Sequence, residues 1–291
     1  MTDTQSRNGT LRIAVPNKGG LSGPAAEMLR EAGYAQRQEN SKDLVLYDEA
    51  NGVEFFYLRP RDVAVYVGEG VLDLGITGRD IVVESGAAAT EVMQLGFGAS
   101  RFRFAAPAGR GLDVAGLDGL RLATSYPNLV AGYLAEHNVT ARLIELDGAV
   151  ESSIRLGIAD AIADVVETGT TLRQAGLELF GEPILTSEAI LITSADRPSP
   201  LGLDQLQRRL NGVLVARNYV MMDYDVSSEG LDKAMEITPG LESPTVSSLA
   251  RENWYAVRSM VPRRDAQRVM DELWEVGARA ILVTDIAACR L

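Results

Sequence analysis

Residues 151–172, ESSIRLGIADAIADVVETGTTL, hold the densest set of groups whose types and spacing suit chemistry on a phosphorylated sugar. The pattern reads as a helix, a short apolar strand, and a hydroxyl-rich loop that opens a second helix. Asp164 stands at the strand end, and Thr168, Thr170 and Thr171 surround Gly169 in the loop. Backbone N–H groups at a helix start favour a phosphate, and a glycine lets the backbone approach it closely. The threonine hydroxyls add donors, while Asp164 is placed to hold a ribose diol or a metal ion. Together these groups describe a cradle for a 5′-phosphoribose. The plainer reading is a helix-capping loop with no ligand.

The elements that must position this loop follow a repeating order. Leu11–Val15 reads as a strand, residues 16–20 (PNKGG) as a turn, and Ser22 as the cap of a helix ending at Gly33. Ala25, Met28, Leu29 and Ala32 share one face of that helix. Val53–Leu58 is a strand ending in Arg59-Pro60-Arg61, with Asp62 capping a short helix. Asp73–Thr77 is another, followed by Gly78-Arg79-Asp80 and a helix from Ile81. Strand, polar turn and helix in succession predict a largely parallel sheet with ligands at the strands' carboxyl ends. A second set starts at Arg101, with strands near 120–124, 141–146 and 161–166 and a helix after Pro127. Two α/β lobes with a cleft between them fit this order. A helix is expected from about Gln205 to Leu210. From Tyr219 onward the order becomes β-α-β-β-α-β, the ferredoxin-like arrangement.

Composition narrows the function classes. With 291 residues, 46% apolar and 23% charged, the chain can bury the cores of several compact units. A formal net charge of −12 argues against sequence-independent nucleic-acid binding, which needs a basic surface. No apolar run approaches the roughly 20 residues of a membrane span. The polar first ten residues and the single cysteine, Cys289, point to the cytoplasm. Lys18, Lys42 and Lys233 are the only lysines, so Lys18 stands out in a glycine-rich turn directly after a strand. The solitary His137 and Cys289 offer no activated nucleophile.

The chain resembles the ATP phosphoribosyltransferases of histidine biosynthesis in their long form. The family signature is met by Glu151, Gly157, Ala159, Ile162, Asp164, Val165, Thr168-Gly169, Thr171 and Leu172, all at the expected spacing. The resemblance extends to Leu11–Leu21, Asp73–Asp80, Ala123–Leu129 and the C-terminal unit. One departure stands out: family members often carry Lys-Gly-Arg after the first strand, where this chain has Lys18-Gly19-Gly20. Arg59 or Arg79 is the candidate replacement.

The resemblance implies a two-lobed, periplasmic-binding-protein-like catalytic part followed by a ferredoxin-like (ACT-like) regulatory domain. Expected boundaries are 1–98 for lobe I with a return segment 192–212, 99–191 for lobe II, and 213–291 for the regulatory domain. The implied reaction joins ring nitrogen 1 of ATP to the anomeric carbon of phosphoribosyl pyrophosphate and releases pyrophosphate. Asp164, Glu167, Thr168, Gly169, Thr170 and Thr171 would hold the sugar donor, with Asp164 and Lys18 nearest the chemistry. Lys18, Arg59, Asp80 and Tyr126 would meet ATP, although each also suits a plain turn or capping role. Mg²⁺ would neutralise the pyrophosphate, with Asp164 as a candidate ligand. Asp225, Leu241, Ser243, Thr245 and Ala280 would surround L-histidine as a feedback inhibitor. A homo-oligomer exchanging between dimer and hexamer is expected, with neither nucleic acid nor membrane as partner. The competing classes are an exported two-lobed solute-binding protein and an amino-acid-responsive regulator. Thr168→Ala combined with Thr171→Ala should weaken phosphoribosyl pyrophosphate binding in calorimetry while circular dichroism stays unchanged; undiminished binding would remove the cradle.

Overall fold

A computed structural model describes residues 9–38, 41–166 and 169–290. Its described residues fall into two compact units, one running to Leu203 without 31–33, the other comprising 31–33 and the chain from Asp204.

The first unit contains two sheets, here called lobes I and II. Lobe I is built from β1 (Leu11–Pro16), α1 (Ser22–Glu31), β2 (Val45–Asp48), β3 (Val53–Leu58), α2 (Pro60–Gly68), β4 (Leu74–Gly78), α3 (Arg79–Ser85) and β5 (Ala89–Gln94). Lobe II follows with β6 (Ser100–Pro107), β7 (Arg121–Thr124), α4 (Pro127–Glu136), β8 (Arg142–Glu145), α5 (Ser152–Arg155), β9 (Ala161–Val166), α6 (Thr170–Gln174) and β10 (Leu177–Ser187). The chain then returns to the first sheet as β11 (Ala189–Ser194).

The lobe I sheet has the order β2-β3-β1-β4-β11-β5. Its centre is parallel, with Ile13 paired to both Phe55 and Leu74, whereas β2 and β11 run antiparallel to their neighbours. The parallel centre brings the turns after β1, β3 and β4 to one edge, where Lys18, Arg59 and Asp80 emerge. Pro60 takes the first helical position of α2 with Arg59 as the preceding cap, so this helix starts before Asp62. Proline's fixed φ suits that position, and its missing N–H is not needed there. α2 lies close against β4 because residue 75 has no side chain. A Cβ there would come within 2.6 Å of Val63 Cγ1 and 2.9 Å of Val67 Cγ2.

The lobe II sheet has the order β10-β6-β9-β7-β8. β7, β8 and β9 are parallel, and β6 and β10 are added antiparallel. The long β10 and the return strand β11 add to the expected elements; β11 is a short Ile-rich apolar run, whereas β10 has no clean alternation. Residues 181–183 (Gly-Glu-Pro) interrupt the apolar pattern of β10 and coincide with a register shift between Phe180 and Leu185. A proline is tolerated in a strand at just such an irregularity.

The second unit begins with α7 (Leu203–Asn218), continues through β12 (Tyr219–Ser227), α8 (Leu231–Ile237), β13 (Thr245–Ser248), β14 (Trp254–Pro262) and α9 (Ala266–Glu275), and ends with β15 (Arg279–Asp285). Strand order β13-β14-β12-β15, antiparallel throughout, is the ferredoxin-like topology expected from the sequence. Val220, Met222, Tyr224 and Val226 alternate inward against Ala234, Val269 and Leu273. α7 extends well past Leu210, through Gly212. That glycine does not end the helix; a Cβ there would meet the Cys289 carbonyl oxygen, so the C-terminal segment lies directly on it. No described helix is long and apolar enough to cross a membrane.

Gly75→Ala should destabilise the protein by about 1–3 kcal/mol through overpacking of α2 on β4, read from denaturant unfolding. An unchanged midpoint would show that α2 can shift without cost.

Candidate active site

β9 sets the position of the central carboxylate. Its side chains alternate between two apolar clusters: Ala161, Ala163 and Val165 face one, Ile162 and Val166 the other. Asp164 occupies the slot between Ile162 and Val166, on the face that also packs Val150, Leu172 and Leu177. Burial therefore raises its carboxyl above the usual aspartate value of 3.8; the Val165 N–H at 2.7 Å opposes the rise, and the charge of Glu151 adds to it.

Gly169, which has φ +70° and ψ 7°, caps α6. This left-handed conformation strains any side-chain-bearing residue, which explains glycine at the turn. A cavity of about 310 Å³ opens here, lined by Glu151, Asp164, Val165, Val166, Gly169, Thr171 and Leu172. Gly169, Thr171 and Asp164 of the expected cradle thus share one cavity. Thr170 is the first residue of α6. Glu167 and Thr168 lie outside the described residues. Glu151 is an addition; its only sequence signal is its place as the first fixed position of the 151–172 pattern.

At the carboxyl edge of the lobe I sheet, Lys18 and Arg59 are exposed, and their side chains have no hydrogen-bond or ionic partner among the described residues. They are neighbours because Pro16 pairs with Leu58 and the Asn17 N–H donates to the Leu58 carbonyl at 2.7 Å. Arg79, by contrast, is held by Glu91 at 2.9 Å and Glu188 at 3.6 Å. Asp80 is only 8% exposed. It exchanges hydrogen bonds with Ser187, whose Oγ donates to Oδ1 at 2.7 Å and accepts from the Asp80 N–H at 3.0 Å.

Tyr126 spans the lobes. Its phenol lies near Asp80, its ring meets Phe102 edge-on at 5.1 Å, and the Arg61 guanidinium lies 5.4 Å from its centre. Arg61 also donates to the Ser125 carbonyl at 2.8 Å. The phenol is held well above its ordinary range, first by burial and then by Asp80. Arg61 opposes this rise, and Asp164 adds a smaller repulsion. The Tyr126 phenol therefore lies in the field of both Asp80 and Asp164. Arg61, Ser187 and Glu84, which contacts α4 from lobe I, carried no signal in the sequence; only the lobe packing selects them.

In the second unit, Asp225 pairs in register with Ala256 and Arg279, and Thr245 with Arg258, itself opposite Asp223. Thr245 and Asp225 thus share the sheet face away from the core but stand two strands apart. Ala280 has φ +50° beside a register shift in β15, a strained conformation for a residue with a Cβ. Leu241 and Ser243 sit in the loop after Thr238, which Tyr224 and Ser259 anchor through hydrogen bonds of 2.7 and 2.9 Å.

Among the described residues no group of three metal-ligating side chains occurs. Two carboxylates on one cavity still fit Mg²⁺, which commonly uses one or two carboxylates together with substrate phosphates and water.

The chain matches the family described as ATP phosphoribosyltransferase over residues 59–212 and that described as HisG, C-terminal domain, over residues 216–288. It is 63% identical to an ATP phosphoribosyltransferase of Kocuria rhizophila, over 97% of this chain and 100% of that one. Identity to the ATP phosphoribosyltransferase of Streptomyces coelicolor is 60%, again over 97% and 100% of the two chains. A solved chain of the Thermotoga maritima ATP phosphoribosyl transferase (HisG:HisZ) complex superposes with a TM-score of 0.58 at 27% identity, covering 69% of this chain and 99% of that one.

The raised carboxyl of Asp164 has a stability consequence with a definite sign. Its contribution is fully present below the unfolded value of 3.8 and is lost as pH rises through the higher folded value. Asp164→Asn should therefore raise the melting temperature of the ligand-free protein at pH 7. Glu151→Gln should lower the Asp164 midpoint in a carboxyl NMR titration, because a like charge is removed; an unmoved midpoint would separate the two groups.

Proposed function

Because the chain belongs to the ATP phosphoribosyltransferase family, we propose that its lobe II cavity holds phosphoribosyl pyrophosphate while ATP binds at the carboxyl edge of the lobe I sheet. The reaction itself follows from family membership: the enzyme, a pentosyltransferase, transfers phosphoribose from phosphoribosyl pyrophosphate to ring nitrogen 1 of ATP and releases pyrophosphate. This is the first step of histidine biosynthesis.

Displacement at the anomeric carbon builds oxocarbenium character on the ribose and negative charge on the departing pyrophosphate. Adenine supplies the nucleophile, so no covalent intermediate on a side chain is needed. Orientation and charge stabilisation then carry the rate, with orientation worth up to roughly 7–11 kcal/mol. In this reading Gly169, Thr170 and Thr171, with Thr168, hold the 5′-phosphate, and Asp164 meets the ribose hydroxyls, assisted by Glu167. Lys18 and Arg59, unpaired among the described residues, neutralise the polyphosphates. Asp80 and Tyr126 meet the adenine side of ATP. Mg²⁺, where bound, draws charge from the leaving pyrophosphate; Asp164 and Glu151 are the carboxylates placed to contact it. The single observation that carries this reading is the convergence of Asp164, Gly169 and Thr171 on one cavity.

L-Histidine is the proposed inhibitor, held by Asp225, Leu241, Ser243, Thr245 and Ala280. The strained backbone at Ala280 supports a ligand there, since such strain tends to be stored at binding sites. Inhibition requires histidine to prefer one of two global states. A homo-oligomer interconverting between dimer and hexamer supplies such states, and the cytoplasm is the expected compartment.

A coupled pyrophosphate-release assay with ATP, phosphoribosyl pyrophosphate and Mg²⁺ tests these assignments. Release should fall when Thr171→Ala is introduced, and wild-type release should be suppressed by histidine but not in Asp225→Ala. Suppression that survives Asp225→Ala would move the histidine site elsewhere.

A further inference from the structure

We propose that Glu84 is a positioning residue for the transfer reaction, capping from lobe I the helix that carries the cleft turn of lobe II. Glu84 is 9% exposed, near the end of α3. Its Oε2 accepts from the Leu129 N–H at 2.9 Å and its Oε1 from the Asn128 N–H at 3.4 Å, while Asn128 Nδ2 donates to the Glu84 carbonyl at 3.0 Å. α4 has no side-chain cap of its own: Tyr126, at the capping position, makes none, and Pro127 has no N–H. A helix start normally finds its cap in the adjoining turn. Here the acceptor stands 45 residues away, on the other lobe.

The opposite end of α3 carries Asp80, which is hydrogen-bonded to Ser187. Ser187 ends β10, and a single residue separates it from β11 in the other sheet. One short helix thus holds both the start of α4 and a strand crossing between the lobes. Separating α3 from α4 would strip a buried carboxylate of its donors, which is costly. The contact therefore fixes the spacing of the lobes, and with it the approach of adenine to the anomeric carbon. This rests on the two substrates occupying different lobes. In such a reaction a misplacement of about 1 Å lowers the rate by on the order of 100-fold.

Glu84→Gln and Glu84→Ala in the full chain are expected to lower kcat about tenfold or more while leaving both KM values within about threefold. Leu134→Ala, a cavity substitution near the far end of α4 that leaves the Glu84 contact in place, should lower the melting temperature but leave kcat within about twofold. An equal loss of kcat in Leu134→Ala would reduce Glu84 to a stabiliser and overturn the proposal, as would Glu84 variants with unaltered kcat. Calorimetric binding of each substrate alone separates this from the site assignment. Unchanged phosphoribosyl pyrophosphate binding by Thr171→Ala would count against the cradle, whereas a loss of substrate binding in the Glu84 variants would overturn the positioning role.

Discussion

A carboxylate in a strand position that the sheet's alternation reserves for apolar side chains is the constraint on which the lobe II site depends. Asp164 takes the place between Ile162 and Val166, facing the side of the sheet that packs Val150, Leu172 and Leu177. Leaving part of its hydration disfavours the ionised form, and Glu151 across the cavity increases that tendency. The same partial exclusion of water strengthens any attraction the charge exerts on a ligand or cation. The left-handed glycine at 169 then caps α6, and Gly169, Thr171 and Asp164 open onto one cavity.

Lobe I provides the complementary charge by a different route. Its parallel centre places the ends of β1 and β3 side by side, and the turns that follow expose Lys18 and Arg59 without a protein counter-ion among the described residues. Arg79, at the end of the neighbouring β4, is already neutralised by Glu91 and Glu188. The absent arginine at position 20 therefore leaves Arg59 and Lys18 as the open cations of that edge. Polar contacts join the lobes: Asp80 with Ser187, Arg61 with Ser125, Glu84 with the start of α4. Polar contacts of this kind impose direction as well as adhesion, because each donor must face its acceptor.

The C-terminal unit solves a separate problem. Its inward face is apolar and closed at one corner by the Tyr224–Thr238–Ser259 hydrogen bonds. The outward face carries Asp223, Asp225, Thr245 and Arg258, with Arg258 and Asp223 paired at 2.7 Å. Since Thr245 and Asp225 are separated by an intervening strand, a span of about 10 Å at ordinary strand spacing, the two ends of this face are distinct half-surfaces in one chain.

Local pattern in the sequence was enough to read the strand at 161–166, the helix that starts at Thr170, the β-α-β-β-α-β order after Tyr219, and the stripe of Ala266, Val269 and Leu273 on α9. Each depends on neighbours a few residues apart, where period, capping and turn chemistry act directly. β10 is hard to read because a glycine and a proline break its alternation; the Ile-rich run of β11 reads as a strand, but its insertion between β4 and β5, about 100 residues earlier, does not follow from local pattern. The approach of Glu151 to Asp164, the placing of Arg61 over the Tyr126 ring, and the cap given by Glu84 likewise belong to tertiary structure. Their energies come from groups brought within hydrogen-bonding or Coulomb range only after two sheets have packed, and sequence separation of the partners carries no trace of that distance.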